Sequence, residues 1–335
     1  MNIVNFVNEN LCEPNRHKLL YLCKFGSHLY GTNTPDSDVD YKGIFLPSKK
    51  NMLLGEKCNS LHYKSGDDRS KNSKDDIDID LWSLQYFFHL VGKGETNAID
   101  LIYSPTNEDC VIYNTIPEIF KEPLNFFDPK NCDAFVGYAI GQAKKYGIKG
   151  SRLGIIKQVY EYLEDNIYHF AENDKLTCCV ERILDSFYDD SYCFSKMING
   201  EEALVLCGKV HLFSISIQEF YNRIKREYKK YGERAKKAEQ NAGVDWKALS
   251  HAVRCLFQME ELLVTGKINY PLYSTYILKM IKNGQLPFTK VEEIINEFLE
   301  YIKKLQQTTT VKGKKNNKLI NETILNLYEE YYDTI

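Results

Sequence analysis

The chain has 335 residues, is 43% hydrophobic and carries a formal net charge of -3. That is enough apolar content for one large or two ordinary cores, and too little positive charge for sequence-blind coating of nucleic acid. No apolar run reaches membrane-spanning length, and Asn2, Asn5, Asn8, Glu9 and Asn10 interrupt the start where a signal peptide needs a continuous apolar stretch. A cytoplasmic protein with no membrane partner is expected. The ten cysteines are scattered, without a Cys-x-x-Cys or a regular Cys/His spacing, and adjacent Cys178 and Cys179 are too close for an easy mutual bridge. They read as reduced packing residues.

In chain order, the run from Leu19 to Phe25 reads as a buried strand. Gly26-Ser27 is its exit turn, where bare backbone N–H groups and a hydroxyl can meet phosphate oxygens. The next apolar run, Tyr41 to Leu46, is preceded by Asp38-Val39-Asp40. Alternate residues of a strand share a face, so Asp38 and Asp40 project together and Val39 is expected in the core. Two convergent carboxylates are costly unless a cation neutralises them. Mg²⁺ suits them, because it is usually held by one or two carboxylates while substrate phosphates fill further positions.

The polar stretch from Lys64 to Lys74 reads as a mobile loop able to gate a site. After it, Asp76-Ile77-Asp78-Ile79-Asp80-Leu81 alternates as a half-buried strand should and adds a second row of carboxylates. Acids on neighbouring strands suit two-metal phosphoryl chemistry, and local physics alone does not choose among Asp76, Asp78 and Asp80. Ser83 is placed to cap a helix from Leu84 to Leu90 that ends at Gly92 to Gly94. Ala98 to Tyr103 is a short apolar piece, and the Ser104-Pro105 breaker puts the end of the first domain between there and Pro129. The expected division is 1–125 and 126–335.

The remainder reads as mainly helical, with helices at Ala134 to Tyr146, Leu153 to Phe170, Lys175 to Tyr188, Ile217 to Gln240, Trp246 to Thr265, Tyr273 to Asn283, Val291 to Gln306 and Ile320 to Tyr332. A hairpin is expected around Cys207-Gly208-Lys209. The Ile217 helix carries Arg223, Lys225, Arg226, Lys229, Lys230, Arg234, Lys236 and Lys237 with Tyr221, Tyr228 and Tyr231 interleaved. Basic groups among aromatics suit a phosphate backbone with stacked bases, and a solvated amphipathic helix explains them as well. On the Trp246 helix Lys247, His251 and Arg254 fall at i, i+4 and i+7 and share one face. Lys144, Lys145 and Arg152 are weaker candidates for the same anionic surface.

Gly26-Ser27-His28-Leu29-Tyr30-Gly31, followed by Thr34-Pro35-Asp36-Ser37-Asp38-Val39-Asp40-Tyr41-Lys42-Gly43-Ile44-Phe45, resembles the signature of predicted nucleotidyltransferases of the DNA polymerase β superfamily. More narrowly, it is similar to the branch linked to RNA repair in bacteria and phages. The resemblance continues through Asp78, Leu84, Phe87, Asn97 and Leu101 and reappears from Asp245 to Arg254, then at Glu261-Leu262-Leu263 and Gly266. It implies an α+β fold, with a polymerase-β-like catalytic domain of mixed sheet and flanking helices followed by a mainly helical substrate-binding domain. It also implies Mg²⁺- or Mn²⁺-dependent transfer of a nucleoside monophosphate from an NTP to an acceptor hydroxyl, with RNA the expected partner.

In that reading Asp38, Asp40 and Asp78 are the catalytic and metal-binding acids, and Asp78 is singled out by the resemblance alone. Gly26, Ser27, Tyr30, Lys247, His251 and Arg254 would contact the nucleotide. The competing readings are AMP transfer to a protein or small molecule, and an inactive nucleotide-binding protein. Retention of all three acids speaks against the last.

Overall fold

The computed structural model describes residues 2–35, 37–65, 76–143, 152–187, 193–239 and 244–332. Asp36, the expected gating loop beyond Ser65, Lys144 and Lys145 lie outside them, as do the side chains of Arg152 and of residues 230–239. The chain divides into two compact units: Met1–Tyr138 with Arg254–Met280 and Tyr301–Ile335, and Ala139–Val253 with Ile281–Glu300. A single cut after residue 125 is a different division. It falls inside the first unit, and two later segments return to that unit.

The first unit is built on a five-stranded mixed sheet of order β3-β4-β2-β1-β5. Its strands are β1 (Lys18–Lys24), β2 (Val39–Leu46), β3 (Ser60–Lys64), β4 (Ile77–Ser83) and β5 (Val111–Asn114). β2 pairs in parallel with β4, and the other pairs are antiparallel. β1 is buried from Leu19 to Cys23, as its continuous apolar run requires. On one face Leu22, Phe45, Ile79 and Leu81 pack with Val7, Leu11 and Cys12 from the start of the chain. There Asn2 caps α1 (Ile3–Val7), its side chain accepting from the N–H groups of Val4 and Asn5. Val39, expected in the core, is half-buried.

The opposite face of β2 and β4 carries Asp40, Lys42, Asp78 and Asp80. α2 (Ser27–Tyr30) follows β1, and α3 (Lys49–Leu54) follows β2. Ser83 caps α4 (Leu84–Val91), its hydroxyl accepting from the Tyr86 N–H, and Gly94 beyond the helix end has φ +66°. Glu95 caps α5 (Thr96–Tyr103), buried from Ala98 to Tyr103 with one carboxylate, Asp100, inside it.

The second unit holds a three-stranded antiparallel sheet of β6 (Cys193–Ile198), β7 (Glu201–Leu206) and β8 (Lys209–Leu212). Cys207 and Gly208, at φ +53° and +79°, form the two-residue turn between β7 and β8, the geometry that right-twisted hairpins favour. α6 (Asp133–Ala143), α7 (Arg152–Asn166), α8 (Val180–Ser186) and α9 (Ile217–Glu239) come next in the helix count. Val159 and Leu163 of α7 join Phe220 and Ile224 of α9 in the core of this unit. The remaining helices are α10 (Trp246–Thr265), α11 (Thr275–Lys282), α12 (Phe288–Thr308) and α13 (Asn317–Tyr332). Among the described residues no helix is long and apolar enough to cross a membrane.

Candidate active site

The acidic face is organised by register. Asp40 of β2 lies directly opposite Asp78 of β4, and two residues on Lys42 lies opposite Asp80. The strands are parallel, so both pairs face the same way. The Lys42–Asp80 pair is an ion pair formed within the sheet. Lys42 also lies 4.6 Å above the Trp82 ring and 5.3 Å from that of Phe25, and His62 Nδ1 is 2.8 Å from the other Asp80 oxygen. Asp80 is thus engaged by cationic and imidazole groups of the chain, whereas the pair before it sets acid against acid. Asp38 precedes β2 by one residue. Among the described residues no group of three or more His, Cys, Asp or Glu side chains forms a ready-made metal cluster.

The Gly26 turn abuts this face. The Phe25 N–H donates to the Asp40 carbonyl at 2.7 Å, and Gly26 has φ +59° and ψ -131°, a conformation L residues avoid. A Cβ on Gly26 would lie 2.6 Å from Asp40 Oδ2, so bare backbone is what lets the turn approach the carboxylate. Gly26→Ala is expected to cost about 1–3 kcal/mol in backbone strain and to displace Asp40, abolishing any activity that depends on it. Unchanged melting and unchanged activity together would rule this out. Ser27 opens α2 half-buried. The N–H groups of Thr32 and Asn33 both donate to the Ser27 carbonyl, closing the loop towards Asp38. His28, beside Asp38, has its pKa lowered by burial and by Lys24, with Asp38 opposing the shift.

Tyr30 and Arg254 sit elsewhere than a nucleotide-binding role suggests. Both belong to a buried network around Asp100. The Tyr30 hydroxyl donates to Asp100 Oδ2 at 2.7 Å, and Tyr270 and Gln258 donate to Oδ1 at 2.7 and 2.8 Å. The Arg254 guanidinium lies 4.0 Å from the Tyr30 ring centroid and 3.7 Å from Asp100 Oδ2. Burial pushes the Asp100 carboxyl up, and Arg254 and the tyrosine hydroxyls oppose that shift. The network braces the carboxyl end of α2. Gly31 follows at φ +77° against Pro271 and Thr275, and Thr275 Oγ1 donates to the Tyr30 carbonyl at 3.2 Å. Sequence reading missed Asp100, Gln258 and Tyr270. The available signal was a carboxylate inside the apolar run Ala98 to Tyr103.

Lys247 and His251 belong to the second unit and Arg254 to the first. Lys247 is exposed and His251 half-buried. On α9 two of the aromatics pack against α7: Tyr160 stacks on Tyr228 at 4.7 Å and on Tyr221 at 6.1 Å. The Tyr221 hydroxyl bonds Glu164 and accepts from Lys225 at 2.8 Å. Tyr221 is thus buried in the core and Tyr228 half-buried against it, each with a ring engaged by Tyr160.

A mixed sheet presenting acids on adjacent strands beside a Gly-Ser turn, with flanking helices and a largely helical remainder, is the polymerase-β-like α+β nucleotidyltransferase fold. The model of RlaP, the RNA repair pathway DNA polymerase beta family, matches residues 5–162, a span that includes Gly26, Ser27, Asp38, Asp40 and Asp78. Over 292 residues the chain is 34% identical to an uncharacterized 38.9 kDa protein of Enterobacteria phage T4 from the nrdC-mobD intergenic region, covering 83% of this chain and 86% of that relative. The chain belongs to the RNA repair pathway DNA polymerase beta family.

Proposed function

We propose that the protein is a metal-dependent nucleotidyltransferase that moves a nucleoside monophosphate from an NTP to a hydroxyl on RNA and releases pyrophosphate. The observation that carries this reading is the direct opposition of Asp40 and Asp78 on parallel strands against Gly26. Facing carboxylates on neighbouring strands, whose backbones run about 4.8 Å apart, repel one another, and a divalent cation relieves that repulsion. A donor set this small fits Mg²⁺ or Mn²⁺, since such ions take one or two protein carboxylates and complete their shell with water and substrate phosphates. Asp40 and Asp78 would be the metal's two protein carboxylates, with Asp38 the acid nearest Asp40 in sequence, and the ion would supply Lewis-acid stabilisation of the reacting oxygens.

The chain's own residues do the rest. Gly26 leaves backbone exposed to the phosphates, and Ser27 offers a hydroxyl beside it. As the bond from the acceptor oxygen to the α-phosphorus forms, the bond to pyrophosphate breaks and the acceptor proton passes to solvent. Tyr30 and Arg254 act through the Asp100 network, holding the Gly26 turn against Asp40. The family description supports RNA as the acceptor. Inward packing of Tyr221 and Tyr228 removes one support for it, which keeps AMP transfer to a protein or small molecule as the alternative.

The test is incubation with each α-³²P-labelled NTP, Mg²⁺ or Mn²⁺, and either total RNA or cell protein. Label is expected in RNA, and label confined to protein would overturn the acceptor assignment. Between the two β4 acids, Asp78→Ala is expected to be inactive. Asp80→Ala should retain activity but melt lower, because it strands the buried end of Lys42. An inactive, fully stable Asp80→Ala protein beside an active Asp78→Ala protein would move the site one register pair along the strands.

A further inference from the structure

The second unit contains an open cavity of about 510 Å³ lined by Lys209, Val210, His211, Arg223, Arg226 and Glu227. This is within the size range of small-molecule sites, about 300–1,000 Å³, but its lining is cationic. Three basic side chains outnumber one acid. Lys209 Nζ pairs with Glu227 at 2.5 Å, and Arg223 pairs with Glu219 outside the lining. Arg226 donates from Nε to the Asn222 carbonyl and is in no ion pair among the described residues.

The second observation is His211. It is 4% exposed, packed edge-on against Phe220 at 5.0 Å, and its Nδ1 has no hydrogen-bond partner among the described residues. A buried polar atom left unmet is destabilising. Burial, then Arg223 and Lys209, push the imidazole pKa down to about 4, against Glu227. The ring is therefore neutral at physiological pH, and in the tautomer protonated at Nδ1 it would offer a donor to an acceptor bound in the cavity it lines. An unmet donor under a cationic rim is the arrangement a phosphate oxygen satisfies.

We propose that the cavity bounded by Lys209, His211, Arg223 and Arg226 binds a backbone phosphate of an RNA strand. A polynucleotide is favoured over an isolated phosphate because Arg223, Arg226 and exposed Lys229 follow one another at intervals of three along α9, carrying the basic line out of the cavity. The proposal rests on the RNA reading above. It relocates RNA binding from a track along the whole basic helix to a built pocket shared between α9 and β8.

The experiment uses the full chain in EDTA, so that binding is read without any transfer chemistry and its failure is separable from failure of the catalytic reading. Fluorescence anisotropy with a labelled oligouridylate is followed across a salt titration. Arg223→Glu/Arg226→Glu is expected to weaken binding on the order of tenfold or more and to flatten the salt slope by about 0.7 for each phosphate no longer neutralised. Arg226→Lys should keep most of both. In the wild-type protein the His211 imidazole ¹H–¹⁵N signals should shift on adding RNA.

Wild-type affinity and salt slope in a charge-reversed protein with unchanged melting would overturn the proposal. So would His211 signals that ignore RNA, which needs no variant at all. If AMP shifts His211 as far as RNA does while charge reversal leaves RNA binding untouched, the polynucleotide occupant is wrong.

Discussion

Asp40→Ala is expected to reduce nucleotide transfer by about 10²–10³-fold or to below detection, with no loss of stability. Several kcal/mol of transition-state charge stabilisation depend on the metal that this carboxylate would hold, and each 1.36 kcal/mol is about tenfold in rate. Removing one of two opposed carboxylates also relieves cross-strand repulsion of about 0.2–1 kcal/mol, so the variant should melt at or slightly above the wild-type temperature. Asp40 has Gly26 against its Oδ2 and Asp78 across the ladder. Its loss therefore dismantles the site without opening the apolar core, which lies on the other face of the sheet. Single-turnover assays at saturating Mg²⁺ read the effect. Unchanged turnover in a folded Asp40→Ala protein would end the catalytic assignment.

The second large effect concerns folding. Asp100→Ala removes the acceptor of three hydrogen bonds of 2.7–2.8 Å and leaves the Arg254 guanidinium buried without its carboxylate. Breaking a buried pair from one side costs about 3–5 kcal/mol, seen as a fall in melting temperature on the order of 10 °C. An alanine at exposed Asp109 should change stability by no more than about 0.5 kcal/mol. Asp100→Asn/Arg254→Met should recover much of the loss, because the stranded charge goes with its partner. If Asp100→Ala unfolds in urea like the wild type, the network does not brace this unit.

Much of the sheet and helix framework that carries the acids was legible because it is local. The apolar run of β1, the alternation of β4, the Ser83 cap and the spacing of α10 all act over a few residues. The short strands β3, β5 and β6 were not found. Each lies at a sheet edge, where one hydrogen-bonded neighbour suffices and the apolar pattern is weak. The partners of the acids could not be read either. Lys42 meets Asp80 only through parallel pairing of strands 38 positions apart in sequence, and nothing in either strand fixes that register. Helical spacing put Lys247, His251 and Arg254 on one face. It cannot say that Arg254 is covered by Tyr30 and Asp100 while Lys247 stays in solvent. The same limit applies to Tyr221 and Tyr228, whose stacking partner Tyr160 lies on another helix.

The first unit is discontinuous, and that sets the order in which it can be completed on the ribosome. Its acids are synthesised by residue 80, but Arg254, Gln258 and Tyr270 complete the bonding around Asp100. Later still, the hydroxyls of Tyr328 and Tyr332 donate to the Pro47 carbonyl at the end of β2, at 3.1 and 3.0 Å. A nascent chain holding every candidate metal ligand still lacks the groups that lock the Gly26 turn and close the end of the sheet. Any truncated translation product or proteolytic fragment stopping short of these segments carries the acidic motif without its support, so possession of the motif alone does not make a complete site.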